Sequence, residues 1–272
     1  MPELPEVETS CRGIAPWVIN QEIQTVVVRD RRLRWPVPDD IDLKLSGQKI
    51  QSVRRRAKYI LLDTTTGTAM LHLGMSGTVR IIDKDEPAGK HDHVDIRFKS
   101  GKALRFRDPR RFGSLLMTDN PSEHRLLRNL GPEPLSDAFD GDYLWLKSRG
   151  RKISIKQFIM NAATVVGVGN IYASEILFLC KINPFTKSGK LTLREYKKII
   201  FYSKYVLNDA IRKGGSTIQN FVNTESGLGS FQNHFKVYGR CNLKCLVKKC
   251  NGIIKKKTIS NRSTFYCNIC QK

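Results

Sequence analysis

The sequence predicts an α+β chain: a β-sandwich with flanking helices first, a helical domain second and a cysteine-bearing hairpin last. Three observations carry this. Between residues 23 and 106, short apolar or β-branched runs recur with Gly and Asp/Lys turns between them, the spacing of a sandwich. After the breaker-rich stretch Gly131-Pro132-Glu133-Pro134 the apolar period becomes helical. Four cysteines then close the chain as two tight pairs, Cys245 with Cys250 and Cys267 with Cys270.

The elements follow in order. Pro5 suits the first position of an opening helix, and Leu4, Val7, Cys11 and Ile14 make one apolar stripe at helical spacing. Strands are expected at 23–28, 59–62, 69–73, 78–82, 93–98 and 103–106. Residues 132–150 read as a linker. Short helices are expected at 153–161 and 170–180. Thr192-Leu193-Arg194-Glu195 has the capping-box pattern and opens a long helix that Gly214-Gly215 ends. Residues 216–234 are polar and Gly-containing and read as a loop. The expected domains are therefore 1–131, a linker at 132–150, 151–234 and 235–272.

Composition narrows the function. The 272 residues carry 47 Lys+Arg against 25 Asp+Glu, a net charge of +22, which calls for a polyanionic partner. Nucleic acid fits best, because Lys and Arg release the counterions held by phosphates. The charge is also segregated: ten Lys/Arg and no Asp or Glu lie between Ser226 and the C-terminus. No apolar run is long enough to span a membrane and no secretory signal opens the chain, so the cytoplasm, or a nucleic-acid compartment reached from it, is expected; with no oligomer signal in the sequence, a monomer is the default. Seven cysteines, an odd number, argue against a disulfide framework and for a metal site plus free thiols.

The strongest motif by spacing is the paired one: Cys245 and Cys250, sixteen residues, then Cys267 and Cys270. Four thiolates at that spacing close a tetrahedron around one structural Zn²⁺, whose binding energy folds a segment too small to hold itself. The four-residue gap inside the first pair leaves Cys241 and His234 open as competing ligands. The intervening loop carries Lys255, Lys256, Lys257 and Arg262, cations suited to a DNA backbone. Gly167-Val168-Gly169-Asn170 is not a dinucleotide fingerprint, since Tyr172 stands where a third Gly belongs. It reads as tight turns before a helix whose N-terminus can hold a phosphate.

Taken together these stretches resemble the bacterial formamidopyrimidine-DNA glycosylases along essentially the whole chain. The matches are residues 1–9 (opening Met1-Pro2-Glu3-Leu4-Pro5-Glu6), 55–59, 72–77, 90–95, 108–113, 165–175, 237–240 and 262–267. The resemblance implies a base-excision DNA-repair enzyme, both glycosylase and AP lyase, acting on oxidised purines in duplex DNA. It implies a helix-two-turn-helix domain with a lesion-capping loop, and a zinc finger. Pro2, freed of Met1, would be the nucleophilic amine; Glu3 the general acid/base, with Glu6 supporting it; Lys58 and Arg262 would serve the eliminations. Met75, Arg110 and Phe112 would fill the gap left by the flipped nucleotide. His91, Arg110, Arg151, Lys156, Asn170 and Tyr238 would contact DNA. Two other readings stand beside this one. A non-catalytic zinc protein binding nucleic acid would not need Pro2, Glu3 and Lys58. An endonuclease VIII-like preference for pyrimidines is disfavoured by Leu4 and by the trio Met75, Arg110 and Phe112.

Overall fold

The computed structural model describes residues 2–215 and 231–272, which form two compact units. One holds the residues up to Arg128 together with 213–215; the other holds Asn129–Arg212 and Phe231–Lys272.

The first unit opens with helix α1 (Leu4–Val18), in which Pro5 takes the second rather than the first helical position. Strand β1 (Ile23–Val28) and the short helix α2 (Ile41–Leu45) follow. Seven further strands complete the unit: β2 (Ser52–Arg56), β3 (Tyr59–Asp63), β4 (Thr68–His72), β5 (Thr78–Asp83), β6 (Asp92–Phe98), β7 (Lys102–Arg107) and β8 (Ser114–Thr118). They form two antiparallel four-stranded sheets, ordered β1-β6-β7-β5 and β2-β3-β4-β8. A single apolar core joins them. Val26, Ile96 and Phe106 come from one sheet, Ile60, Leu71 and Leu115 from the other, and Val7, Ile14 and Val18 from α1. The α+β sandwich expected from the strand spacing is thus observed, with flanking helices.

The second unit is helical. The 132–150 stretch, read from sequence as a linker, contains helix α3 (Gly141–Ser148), whose Leu144 is fully buried in that unit's core. Then come α4 (Ile155–Met160), α5 (Asn170–Cys180) and the twenty-residue α6 (Leu193–Arg212). In α5 nine of the eleven residues are buried, so it forms the centre of this core. The chain ends in a two-stranded hairpin, β9 (Ile254–Ile259) and β10 (Arg262–Cys267). The 216–234 loop expected from composition lies outside the described residues up to 230; Phe231–His234 is a single 3-10 turn with Phe231 buried. Among the described residues no helix is long and apolar enough to cross a membrane.

Candidate active site and nucleic-acid interface

In the first unit the chemistry-bearing residues gather at the start of α1 and on three loops of the sandwich. Pro2 is buried immediately ahead of the helix. Glu3, its N-cap, and Glu6 are each only 2% exposed. The Glu6 carboxylate accepts the Glu3 main-chain N–H at 2.9 Å, a bond that fixes the chain just after Pro2 and sets negative charge at the positive helix end. Gly215, at φ +77°, lies against this carboxylate; a Cβ there would stand 3.2 Å from Glu6 Oε1.

Lys58 stands in the two-residue turn between β2 and β3, after Ala57 in the left-handed region (φ +55°). Arg55 holds the turn from beneath. Its Nη1 donates to the Ala57 carbonyl at 3.0 Å, and its Nε donates to Glu8 of α1 at 3.0 Å. Burial, with the charges of Lys58 and Arg34 nearby, pushes His72 down to about 4. The imidazole is thus neutral, and its Nδ1 accepts the Gly74 N–H at 2.9 Å.

That bond leads into a surface of exposed apolar side chains. Met75 and Phe112 are 39% and 41% exposed, against the usual fate of such residues, and the Arg110 guanidinium lies 5.0 Å over the Phe112 ring. The loops beneath them are rigidly laced by Asp108, which is fully buried. Its carboxylate accepts from Ser76 Oγ at 2.9 Å, Gly113 N at 2.7 Å and Arg110 N at 3.3 Å. Its carbonyl oxygen accepts from His93 Nε2 at 2.8 Å, which therefore carries the proton. Gly74 (φ +61°) passes so close to the second loop that a Cβ would fall 2.4 Å from the Phe112 carbonyl carbon. Arg111, also at positive φ, is tied to Asp30 at 2.6 Å. His91 sits beside the same loop, its carbonyl accepting the Asp108 N–H.

In the second unit the candidates gather on the hairpin and the helices that hold it. Ser260 and Asn261, both at positive φ, make the tight turn between β9 and β10 and leave Arg262 exposed. Asn170, the first residue of α5, donates its amide to the Ser263 carbonyl at 2.9 Å. Lys156, expected to grip phosphate, is 1% exposed. Its ammonium donates to Thr264 Oγ1 at 2.9 Å and to the Ser263 carbonyl at 3.3 Å, so it braces the hairpin from within. Glu175 is a positioning residue that reasoning from sequence passed over. Its buried carboxylate, raised by burial, accepts the N–H groups of Lys236, Val237 and Tyr238 at 2.8–3.0 Å and so sets the Tyr238 backbone. Arg151 is exposed beside the Gly150 turn.

The four cysteines predicted as ligands converge, their sulfurs all within 4.8 Å of one another. The Cys245–Cys270 and Cys250–Cys267 separations are 3.8 and 3.7 Å. A tetrahedron with metal–sulfur bonds of about 2.3 Å has edges of about 3.8 Å, so this set could hold a metal ion. Cys241 is not part of it; its thiol donates to Asn242 Oδ1. Gly252 lets the knuckle close, since a Cβ there would meet Cys267 Sγ at 2.5 Å.

Comparison with known proteins agrees with these two halves. Residues 1–115 match the formamidopyrimidine-DNA glycosylase N-terminal domain, and residues 130–222 match the H2TH domain of the same family. The chain is 50% identical over 272 residues to the formamidopyrimidine-DNA glycosylases of Stutzerimonas stutzeri and Pseudomonas aeruginosa, covering all of each. Among solved structures it is similar to a Lactococcus lactis FPG mutant bound to Fapy-dG-containing DNA, at 30% identity and a TM-score of 0.91 with both chains fully covered. It is equally similar (30%, 0.91, 99% of each chain) to the Lactococcus lactis Fpg in complex with DNA containing an abasic site.

Proposed function

The chain belongs to the formamidopyrimidine-DNA glycosylase family, and on that premise we propose that it excises oxidised purines, 8-oxoguanine and formamidopyrimidines, from duplex DNA and then nicks the strand. The observation that carries the reading is the exposed wedge of Met75, Arg110 and Phe112 on loops made rigid by a buried carboxylate. A base inside a duplex is beyond reach until it is flipped out, and the hole left behind needs an apolar filler and a hydrogen-bonding cation. Phe112 enters the stack, Met75 adapts to the gap and Arg110 pairs with the orphaned base.

The chemistry begins with removal of Met1, since with Met1 attached the Pro2 nitrogen is a tertiary amide. The freed secondary amine is an α-amino group, part of which is deprotonated at neutral pH, so a nucleophilic fraction exists. It attacks C1′ of the damaged nucleotide and the base leaves. Glu3 protonates the sugar ring oxygen as the ring opens, giving an iminium, and Glu6 holds the backbone at this position. The iminium acidifies the neighbouring sugar proton, so the phosphates on the two sides leave by β- and then δ-elimination. Lys58 serves the first step as a cation beside the departing phosphate. Arg262 grips phosphate for the second; a guanidinium stays protonated and acts as a binder. His91, Arg151, Asn170 and Tyr238 extend that grip. In this division the sandwich of residues 1–131 carries the chemistry, while 151–234 and the 235–272 finger hold the DNA. The metal is zinc, which a closed set of four thiolates selects and which supplies folding energy to the finger.

Borohydride reduction in the presence of a duplex with 8-oxoguanine opposite cytosine tests the reading. A covalent complex at the mass of protein plus DNA is expected once N-terminal mass analysis confirms that Met1 is gone. Absence of trapping by the processed chain would rule the enzyme reading out.

A further inference from the structure

The helix pair α5–α6 carries a second feature that the DNA reading does not use. At the C-terminal end of α5 and along one face of α6 lies a hollow of about 500 Å³, floored by Leu179, Cys180 and the rings of Phe201 and Tyr202. Phe201 is 65% exposed, and one turn further on Tyr205 is 55% exposed. Four cations line the same hollow: Lys181, Arg194, Lys197 and Lys198. Among the described residues none of their side chains has an acidic partner, whereas the next lysine on the helix, Lys204, reaches Asp137 at 3.7 Å. Positions 194, 197, 198, 201 and 202 share one helical face, so cations and rings form one surface.

We propose that this hollow docks an acidic peptide segment of a partner protein, which seats an apolar side chain against Leu179, Phe201 and Tyr202 while its carboxylates meet the four cations. Three observations favour this occupant. The charge is wholly of one sign and concentrated within about two turns, which complements a short acidic stretch. The floor is an apolar concavity ringed by charge, the form that takes an anchoring side chain. A nucleic-acid strand would instead ask for open ring faces in series, and Phe201 and Tyr202 meet edge to face, at 83° and 5.2 Å. The hollow also lies at the opposite end of α5 from Asn170, about 15 Å away along the helix, so docking there leaves the hairpin end uncovered.

Fluorescence anisotropy with the zinc-loaded full chain tests this. The probe is a short fluorescein-labelled peptide of aspartates ending in leucine and phenylalanine. The controls are the same peptide ending in two serines and a labelled oligothymidylate. The probe should bind, and the serine peptide should bind several-fold more weakly. The double variant Lys197→Glu/Lys198→Glu should lose at least about tenfold in probe affinity. Phe201→Ala, which removes the anchor but no charge, should lose several-fold. Both variants should unfold thermally like the parent and trap lesion DNA equally. The idea is overturned if probe binding survives both variants, if the apolar ends make no difference, or if oligothymidylate is what the variants lose. It does not depend on the catalytic reading: a parent chain that fails to trap DNA leaves the peptide measurement standing.

Discussion

The wedge loops of the sandwich and the hairpin at the C-terminus both hold side chains out in solvent, yet different forces hold them there. Under the wedge is one buried carboxylate, Asp108, bonded within its own unit to main-chain and hydroxyl donors, and a glycine too close to the opposite loop to accept a Cβ. Under the hairpin are four sulfurs spaced for a metal, and two helices that donate from Lys156 and Asn170 to the same carbonyl. The first is a hydrogen-bonded turn inside a large apolar core. The second is a segment with few buried apolar side chains of its own, Ile254 and Phe265 among them, so a metal bound by its sulfurs would add to what the helices supply. Rigidity at a surface can thus rest on the core behind it or on a cross-link within it, and the two fail under different treatments.

Metal removal should separate them most sharply. Structural zinc in small fingers contributes on the order of 10 kcal/mol, so a strong chelator, or Cys267→Ser, should unfold the hairpin, raise amide exchange across 235–272 and abolish tight binding to lesion DNA. The sandwich should keep its exchange protection. Loss of protection in both units at once would sink the contrast.

Asp108→Ala attacks the other side. It strands the Gly113 N–H and the Ser76 hydroxyl without a shared acceptor and should cost about 3 kcal/mol in urea unfolding, with loss of lesion excision and retention of bound metal. Lys156→Met should cost less, about 1–3 kcal/mol. Its signature should be faster exchange at the hairpin turn with the sandwich unchanged.

A further effect expected is one of pH. His72 is held neutral, with its folded value near 4 against an ordinary 6.5. The folded protein therefore binds fewer protons than the unfolded chain between those values. Its contribution is complete above about 6.5 and is lost as pH falls through about 4. His72→Asn, which keeps an acceptor for Gly74 but cannot titrate, should flatten that part of the stability profile.

Most of the fold was legible because its signals are local. Short apolar or β-branched runs marked β1 and β3 to β7, and the capping box at Thr192 marked the start of α6. Strand β2 was missed because Ser52-Val53-Arg54-Arg55-Arg56 reads as solvated charge, although Arg54 is tied to Asp63 and Arg55 to Glu8. Helix α3 was missed because Pro and Gly just before it suggest a linker. For the site, the sulfur tetrad and the exposure of Met75 and Phe112 followed the motifs. The roles of Asp108, Glu175 and Lys156 did not, because a charge in a sequence carries no mark of whether it faces water or a set of main-chain groups.

The close passage of Gly74 beneath Phe112 has a consequence for how such a protein can change. The two loops are more than thirty residues apart in the chain, yet sterically they are one block. A recombination that brings in the first loop with any side chain at position 74 collides with the second. Altering which gap the wedge fills therefore requires both loops to be exchanged together, and a library that varies one while holding the other fixed samples mostly broken wedges.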